Sequence, residues 1–259
     1  MLQELYAGSI ADAKLREESL GISQVEKLAL SAGPAIDALG FLAPAGQIKI
    51  LAEVKRASPS RGDLAQIPDP ALLAGIYADN GASAISVLTE ERKFKGSLND
   101  LRAVRARVNV PILRKDFIAN EYQILEARAC GADIVLLIVA GLTQPEILRL
   151  KKFTEELGMV AFIETHDAAE LDRALEADAK LLGVNARDLS TFQTDRNLFG
   201  TLVGSIPAGV IKVAESAVRN PADVAHYRAA GADVVLVGEA LVTNDPANML
   251  QAFLNSSTI

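Results

Sequence analysis

Short runs of apolar, mostly β-branched residues recur along most of the chain. They occupy residues 48–54, 84–88, 110–113, 134–139, 160–163, 181–184, 210–213 and 234–237. After a longer first gap the runs are about 25 residues apart, the unit length of a βα repeat when eight such units share one domain. Within a run apolar and polar residues do not alternate, which is the pattern of strands buried on both faces of a parallel sheet. Between the runs the period changes. Residues 122–129, 144–157 and 168–177 carry apolar side chains on one helical face, as at Ile147, Leu148, Leu150, Phe153 and Leu157. The heptapeptides GASAISV, GADIVLL and GADVVLV begin at Gly81, Gly131 and Gly231. Each predicts a helix that ends on a left-handed glycine and a strand that follows at once.

This rhythm predicts a (β/α)8 TIM barrel. The first 47 residues precede the first strand, read as helical, and are long enough to lie across one end of the barrel. Within them Ser23 and Glu26 have the spacing of a capping box, with Gly21 closing the preceding helix. No shift of composition marks a second domain, so residues 1–259 are expected to form one barrel domain with 1–47 as a helical extension packed on it. Residues 58–70 form a long polar connection after the first strand, without regular structure, and that length suits a functional lid.

Composition narrows the chemistry. Half of the 259 residues are hydrophobic, yet no apolar run is long enough for a membrane span. The net charge of −7 argues against a general nucleic-acid face and leaves room for a local basic pocket. Cys130 is the only cysteine, and His166 and His226 are the only histidines, so neither a thiolate zinc site nor a disulfide is expected. His226 reads as a surface residue on a helix and Cys130 as a packed one. His166 reads equally as a pocket residue or a helix-start residue. Neither histidine suits a nucleophilic triad. The N-terminus mixes charges and has no apolar core, so a cytoplasmic protein is expected.

The polar residues that close the apolar runs carry the functional signal. Glu53 and Lys55 close the first run, Lys115 the third and Glu164 the fifth, while Asn185 and Arg187 follow the sixth, Glu215 and Ser216 the seventh, and Gly238 and Glu239 the eighth. In a closed barrel these ends converge on the face where such enzymes place their chemistry. Glu53, Glu164 and Glu215 with Lys55 and Lys115, at the ends of four strands, make a mixed-charge pocket suited to general acid–base catalysis. The loops Glu215-Ser216-Ala217 and Gly238-Glu239-Ala240 stand where barrels of this kind hold phosphate on backbone N–H groups.

At these positions the sequence resembles the indole-3-glycerol phosphate synthase family. The motifs are EVKRASPSRG from Glu53, FKGS from Phe94, PILRKDFI from Pro111, GVNARDL from Gly183, AES from Ala214 and VLVGEAL from Val235. The resemblance covers nearly the whole chain, including the N-terminal extension. It implies conversion of 1-(2-carboxyphenylamino)-1-deoxyribulose 5-phosphate to indole-3-glycerol phosphate, with release of CO2 and water, and no metal or organic cofactor. It implies a catalytic set of Glu53, Lys55, Lys115, Glu164, Asn185 and Glu215. Ser58, Phe94, Phe117, Arg187, Leu189 and Ser216 would bind the substrate. Lys55, Ser216, Ala217, Gly238 and Glu239 would hold its phosphate.

Lys115 is the candidate acid for ring closure, while Lys55, Glu53 and Glu164 share the acid and base roles of dehydration. Phe94, Phe117 and Leu189 would wall the aromatic ring, and Arg187 would place the carboxylate. One departure is Ala217, where the family usually has glycine. If that position needs positive φ, alanine carries a modest cost. Partners are expected to be limited to the small phosphorylated substrate, with no nucleic acid or membrane and a monomer or weak homo-oligomer. A phosphoribosyl isomerase and a catalytically silent barrel are the competing readings.

Overall fold

The computed structural model describes residues 1–188 and 191–256. Eight strands follow one another: β1 (Lys49–Val54), β2 (Ala84–Leu88), β3 (Ile112–Lys115), β4 (Ile134–Ile138), β5 (Val160–Thr165), β6 (Leu181–Asn185), β7 (Ile211–Glu215) and β8 (Val234–Val237). Every adjacent pair is parallel. β1 pairs with both β2 and β8, so the sheet closes into a barrel. Helices cross over between strands and cover the outside, and the strand side chains merge into one continuous apolar core. The expected (β/α)8 architecture is the observed one.

The strand boundaries extend further at their polar ends than the apolar runs predict. β5 continues through Glu164 to Thr165 and β7 through Glu215, because ladder pairing such as Ile138 with Glu164 and Asn185 with Glu215 does not depend on side-chain polarity. The third run is shifted. β3 starts at Ile112 and not at Val110, since Pro111 has no N–H to donate. Its carbonyl still accepts from the Ile85 N–H at 2.9 Å. The helical segments start and stop within one residue of expectation, at Glu121–Ala129, Gln144–Glu156 and Ala168–Glu176. Gly81, Gly131 and Gly231 have φ of 98°, 88° and 102°, the left-handed helix stops that the internal repeat predicts.

The N-terminal extension folds as α1 (Leu2–Leu20), α2 (Ile22–Ser31) and α3 (Ala38–Leu42). The expected capping box at Ser23 does not form. α1 and α2 are separated by Gly21 alone, whose φ of 75° makes the corner, and Ser23 already lies inside α2. α1 lies over the C-terminal rim of the barrel. The Tyr6 hydroxyl reaches the Ile138 carbonyl at the end of β4, and Ser9 Oγ donates to Asp116 Oδ1 at 2.9 Å just beyond β3. Arg16 Nε meets Glu126 Oε1 at 2.5 Å.

Two further readings need correction. The connection after β1 is not wholly irregular, because Ala57–Ser58 pairs antiparallel with Gly62–Asp63 as a small hairpin. His226 is half-buried rather than a surface residue. Its ring packs edge-on against Tyr227, and its Nε2 is buried without a hydrogen-bond partner. Cys130 is buried at the end of its helix, as expected.

Candidate active site

The C-terminal ends of the strands surround a cavity of about 660 Å³. Glu53, Lys55, Ser58, Phe94, Lys115, Phe117, Glu164, Asn185, Arg187, Glu215, Ser216, Ala217, Gly238 and Glu239 all line it. Leu189 lies outside the described residues.

Lys115 is the centre of the charged floor. Its Nζ donates to Glu164 Oε2 at 3.1 Å and to Glu215 Oε2 at 3.0 Å. Burial works against the ammonium, but Glu164, Glu215 and Glu53 outweigh it and hold the lysine above its ordinary range. The two glutamates diverge. Burial also raises Glu164, yet Lys115, His166 and Asn185 overcome that and keep it well below the usual carboxylate range. Glu215 is pushed up to about 8, by burial first and then by the Glu164 charge, with Lys115 compensating only in part. The floor thus holds one ammonium, one firmly ionised carboxylate and one carboxyl that keeps its proton near neutrality.

Space for this cluster comes from small residues. A Cβ on Gly183 would collide with Glu215 Oε1 and the Phe162 ring, so glycine on β6 makes room for the β7 carboxyl. A Cβ on Gly238 would likewise strike the Glu53 carboxylate. Glu53 is buried, and its Oε2 lies 2.5 Å from Lys55 Nζ, although neither carboxylate oxygen makes an aligned hydrogen bond.

Asn185 is locked in orientation. Its Oδ1 accepts from the Arg187 N–H at 3.0 Å and from Ser216 Oγ at 2.7 Å, which turns Nδ2 towards Glu164 Oε1 at 3.1 Å. Ser216 and Ala217 have φ of 67° and 56°. Alanine therefore does occupy a left-handed position, at a cost of about 1 kcal/mol relative to glycine. The Tyr227 hydroxyl steadies this corner by donating to the Ser216 carbonyl at 3.2 Å. Opposite it, Phe94 and Phe117 stand 6.1 Å apart between ring centres.

Several lining residues escape the sequence argument. Leu5 reaches the cavity from α1, and Tyr6 beside it packs edge-on against Phe117 at 5.6 Å. Nothing in the helical pattern of α1 says which of its residues meet the barrel. Arg61 and Ser60 come from the hairpin after β1. Arg61 Nη2 pairs with Glu239 Oε1 at 2.6 Å, and Arg187 Nη1 donates to Ser60 Oγ at 3.3 Å, so this loop lies over the cavity. His166 does not line the cavity but stands directly behind Glu164, with Nε2 3.2 Å from Oε1. Among the described residues no cluster of histidine, cysteine or acidic side chains has the makings of a metal site. No helix among them is long and apolar enough to cross a membrane.

Comparison with known proteins gives the family. Residues 2–253 match the family model for indole-3-glycerol phosphate synthase. The indole-3-glycerol phosphate synthase of Leifsonia xyli subsp. xyli is 60% identical over 253 residues, covering 98% of this chain and 97% of the relative. That of Mycobacterium sp. strain KMS is 52% identical over 259 residues, covering 100% of this chain and 95% of the relative. Among solved structures, 3-hexulose-6-phosphate synthase from Salmonella typhimurium aligns with a TM-score of 0.65 at 18% identity, covering 81% of this chain and 98% of that one. That likeness speaks for the fold alone. The matched family model and the full-length relatives place the chain in the indole-3-glycerol phosphate synthase family.

Proposed function

We propose how the family's reaction runs on the side chains of this cavity. The chain is a carboxy-lyase of tryptophan biosynthesis that forms indole-3-glycerol phosphate. Its substrate is 1-(2-carboxyphenylamino)-1-deoxyribulose 5-phosphate, and CO2 and water leave. We assign the reaction to residues 1–259 acting as one barrel domain, with 1–47 as its helical extension.

Ring closure requires the aromatic carbon that bears the carboxylate to attack the ketone. Lys115 donates a proton to the ketone oxygen as the new C–C bond forms, and its ammonium stabilises the charge that develops there. Loss of CO2 then restores the aromatic ring. Dehydration breaks the C–O bond of the new hydroxyl and a C–H bond on the neighbouring methylene. Glu164, held ionised, takes that carbon-bound proton, and Lys55, charged against Glu53, protonates the departing hydroxyl. Glu215 supports the cycle by returning a proton to Lys115 across their 3.0 Å contact.

Phe94, Phe117 and Leu189 flank the aromatic ring, and Arg187 meets its carboxylate. Asn185, Ser58 and Ser216 orient the sugar hydroxyls. The phosphate sits against the N–H groups of Ser216, Ala217, Gly238 and Glu239, with Lys55 at its edge. A net charge of −7 supports a small-molecule partner over nucleic acid. We assign the chain to the cytoplasm, working as a monomer or weak homo-oligomer.

The observation that carries this reading is the Lys115 ammonium fixed between Glu164 and Glu215 on the cavity floor. Incubation of the purified protein with the carboxyphenylamino-deoxyribulose phosphate should produce indole fluorescence. Lys115→Met should lower turnover at least roughly a thousandfold, about 4 kcal/mol of transition-state stabilisation, while substrate still binds. Near-parental turnover in that variant would remove Lys115 from the reaction.

A further inference from the structure

Behind Glu164 lies a histidine that the reaction scheme does not use. His166 directly precedes Asp167, the N-cap of the helix Ala168–Glu176. The cap itself is complete without the imidazole. Asp167 Oδ1 accepts from the Glu170 N–H at 2.8 Å, and Glu170 Oε2 accepts from the His166 backbone N–H at 2.8 Å. The ring adds something the cap does not need. Its Nδ1 is 3.0 Å from Glu170 Oε2, and its Nε2 is 3.2 Å from Glu164 Oε1, an ion-pair distance at which the N–H is not aligned for a linear hydrogen bond.

A neutral imidazole has one donor nitrogen, whereas here a carboxylate faces each of the two, an arrangement that only the doubly protonated ring satisfies. Glu164 Oε1 is met by His166 and by Asn185 Nδ2 at 3.1 Å, and Oε2 by Lys115, so the carboxylate is fixed from both sides. The imidazole also borders a second cavity of about 510 Å³, together with Met1, Gln3, Asp167 and Glu170. A solvent-side opening therefore lies behind the catalytic carboxylate.

We propose that His166, clamped by Glu170, is a positioning residue for the reaction: as an imidazolium it holds Glu164 turned into the cavity and ionised, and so sets the lower pH bound of the step in which Glu164 removes a proton. The inference rests on the assignment of Glu164 as that base. The charged and titratable groups around the ring are Glu164 on β5, Asp167 and Glu170 at the start of the next helix, and Asp188 beyond β6. Met1 borders the same cavity from the N-terminal extension, the Tyr6 phenol lies within electrostatic reach of Glu164, and Lys115 stands on the far side of Glu164. Negative groups dominate this shell. Burial disfavours the charged ring, but Glu164 and Glu170 outweigh it and raise His166 to about 10.

The sign of the effect follows. An imidazolium beside Glu164 favours its ionised form. Without it the carboxylate is protonated at a higher pH, and the acidic limb of turnover moves up.

The test is the pH profile of kcat and KM for the full chain and for His166→Asn, Glu170→Gln and Glu164→Gln. His166→Asn should lower kcat roughly tenfold at neutral pH with KM changed much less, and move the acidic limb of kcat upward by about one pH unit. Glu170→Gln leaves the ring in place and should move the limb in the same direction by less. Added imidazole should restore turnover in His166→Ala, since the second cavity opens beside the vacated position. A helix-capping role would move neither the limb nor the imidazole response. An unmoved limb in both His166→Asn and Glu170→Gln, alongside an inactive Glu164→Gln, would overturn this inference alone. A Glu164→Gln variant with parental turnover would overturn the assignment of Glu164 itself.

Discussion

Glu215 and Glu164 show how one residue type takes two protonation states within a single cavity. Both are buried strand-end glutamates bonded to the same ammonium, but burial and the neighbouring Glu164 charge outweigh what Lys115 offers Glu215. Glu215 therefore ionises late, at about 8 against an ordinary 4.5. A carboxyl raised in this way favours the folded state fully below the unfolded value, and that contribution is lost as pH rises towards the folded value. Glu215→Gln removes this loss. Its melting temperature relative to the parent should rise between about pH 5 and pH 9. A parallel fall of both proteins over that range would show that Glu215 does not carry a displaced titration. At this scale the sequence was informative about identity and silent about state. Strand-end position alone singles out Glu53, Lys115, Glu164 and Glu215 as a cluster. Which carboxyl keeps its proton depends on distances of about 3 Å between strands far apart in the chain. His166 is the instructive gap. Its spacing from Glu164 and Glu170 is visible in the sequence, but whether the ring turns towards the helix cap or the carboxylate is settled by packing.

At the scale of elements, the apolar period locates all eight strands because each is buried on both faces, and its apolar residues cannot be traded for polar ones without loss of core. The pattern fails where backbone chemistry decides. Pro111 delays β3, Gly21 replaces the serine cap expected for α2, and the hairpin after β1 rests on backbone pairing of residues with no apolar signature. That hairpin lies over the cavity. It meets the barrel rim through Arg61 with Glu239 and Arg187 with Ser60, both on the exposed side of the cavity. Exposed pairs of this kind are screened by solvent and hold weakly, which suits a segment that closes over substrate and reopens for product. Shortening the loop between Arg61 and Gln66 should lower kcat while thermal stability stays nearly constant, because few core residues change. Solvent viscosity should slow the parent more than the shortened variant if reopening limits turnover. Equal kinetics in the two proteins, with no viscosity effect, would leave the loop a connector.

At the scale of the molecule, α1 is joined to β3 through a buried polar network. Arg114, fully buried beside Lys115, donates to Thr89 at 3.0 Å and Asp116 at 2.9 Å, and its Nη1 reaches the Gln123 carbonyl and Glu126. α1 completes the network from outside through Ser9 to Asp116 and Arg16 to Glu126. It also presents Leu5 to the cavity and Tyr6 to Phe117, the proposed wall for the aromatic ring. The extension is thereby both brace and lining, and the two roles predict different variants. Arg16→Ala removes an ion pair that is partly open to solvent, while Arg114 still compensates Glu126. It should cost about 1 kcal/mol of stability and leave kcat near the parental value. Deleting residues 1–20 removes the same brace and also opens the wall behind Phe117. The truncated chain should unfold at lower temperature and, where still folded, show a raised KM and a lowered kcat. Comparison at a temperature where both variants are folded by circular dichroism separates the two contributions. A truncated chain that is merely less stable, with parental kcat and KM, would reduce α1 to a brace and remove Leu5 and Tyr6 from the substrate pocket.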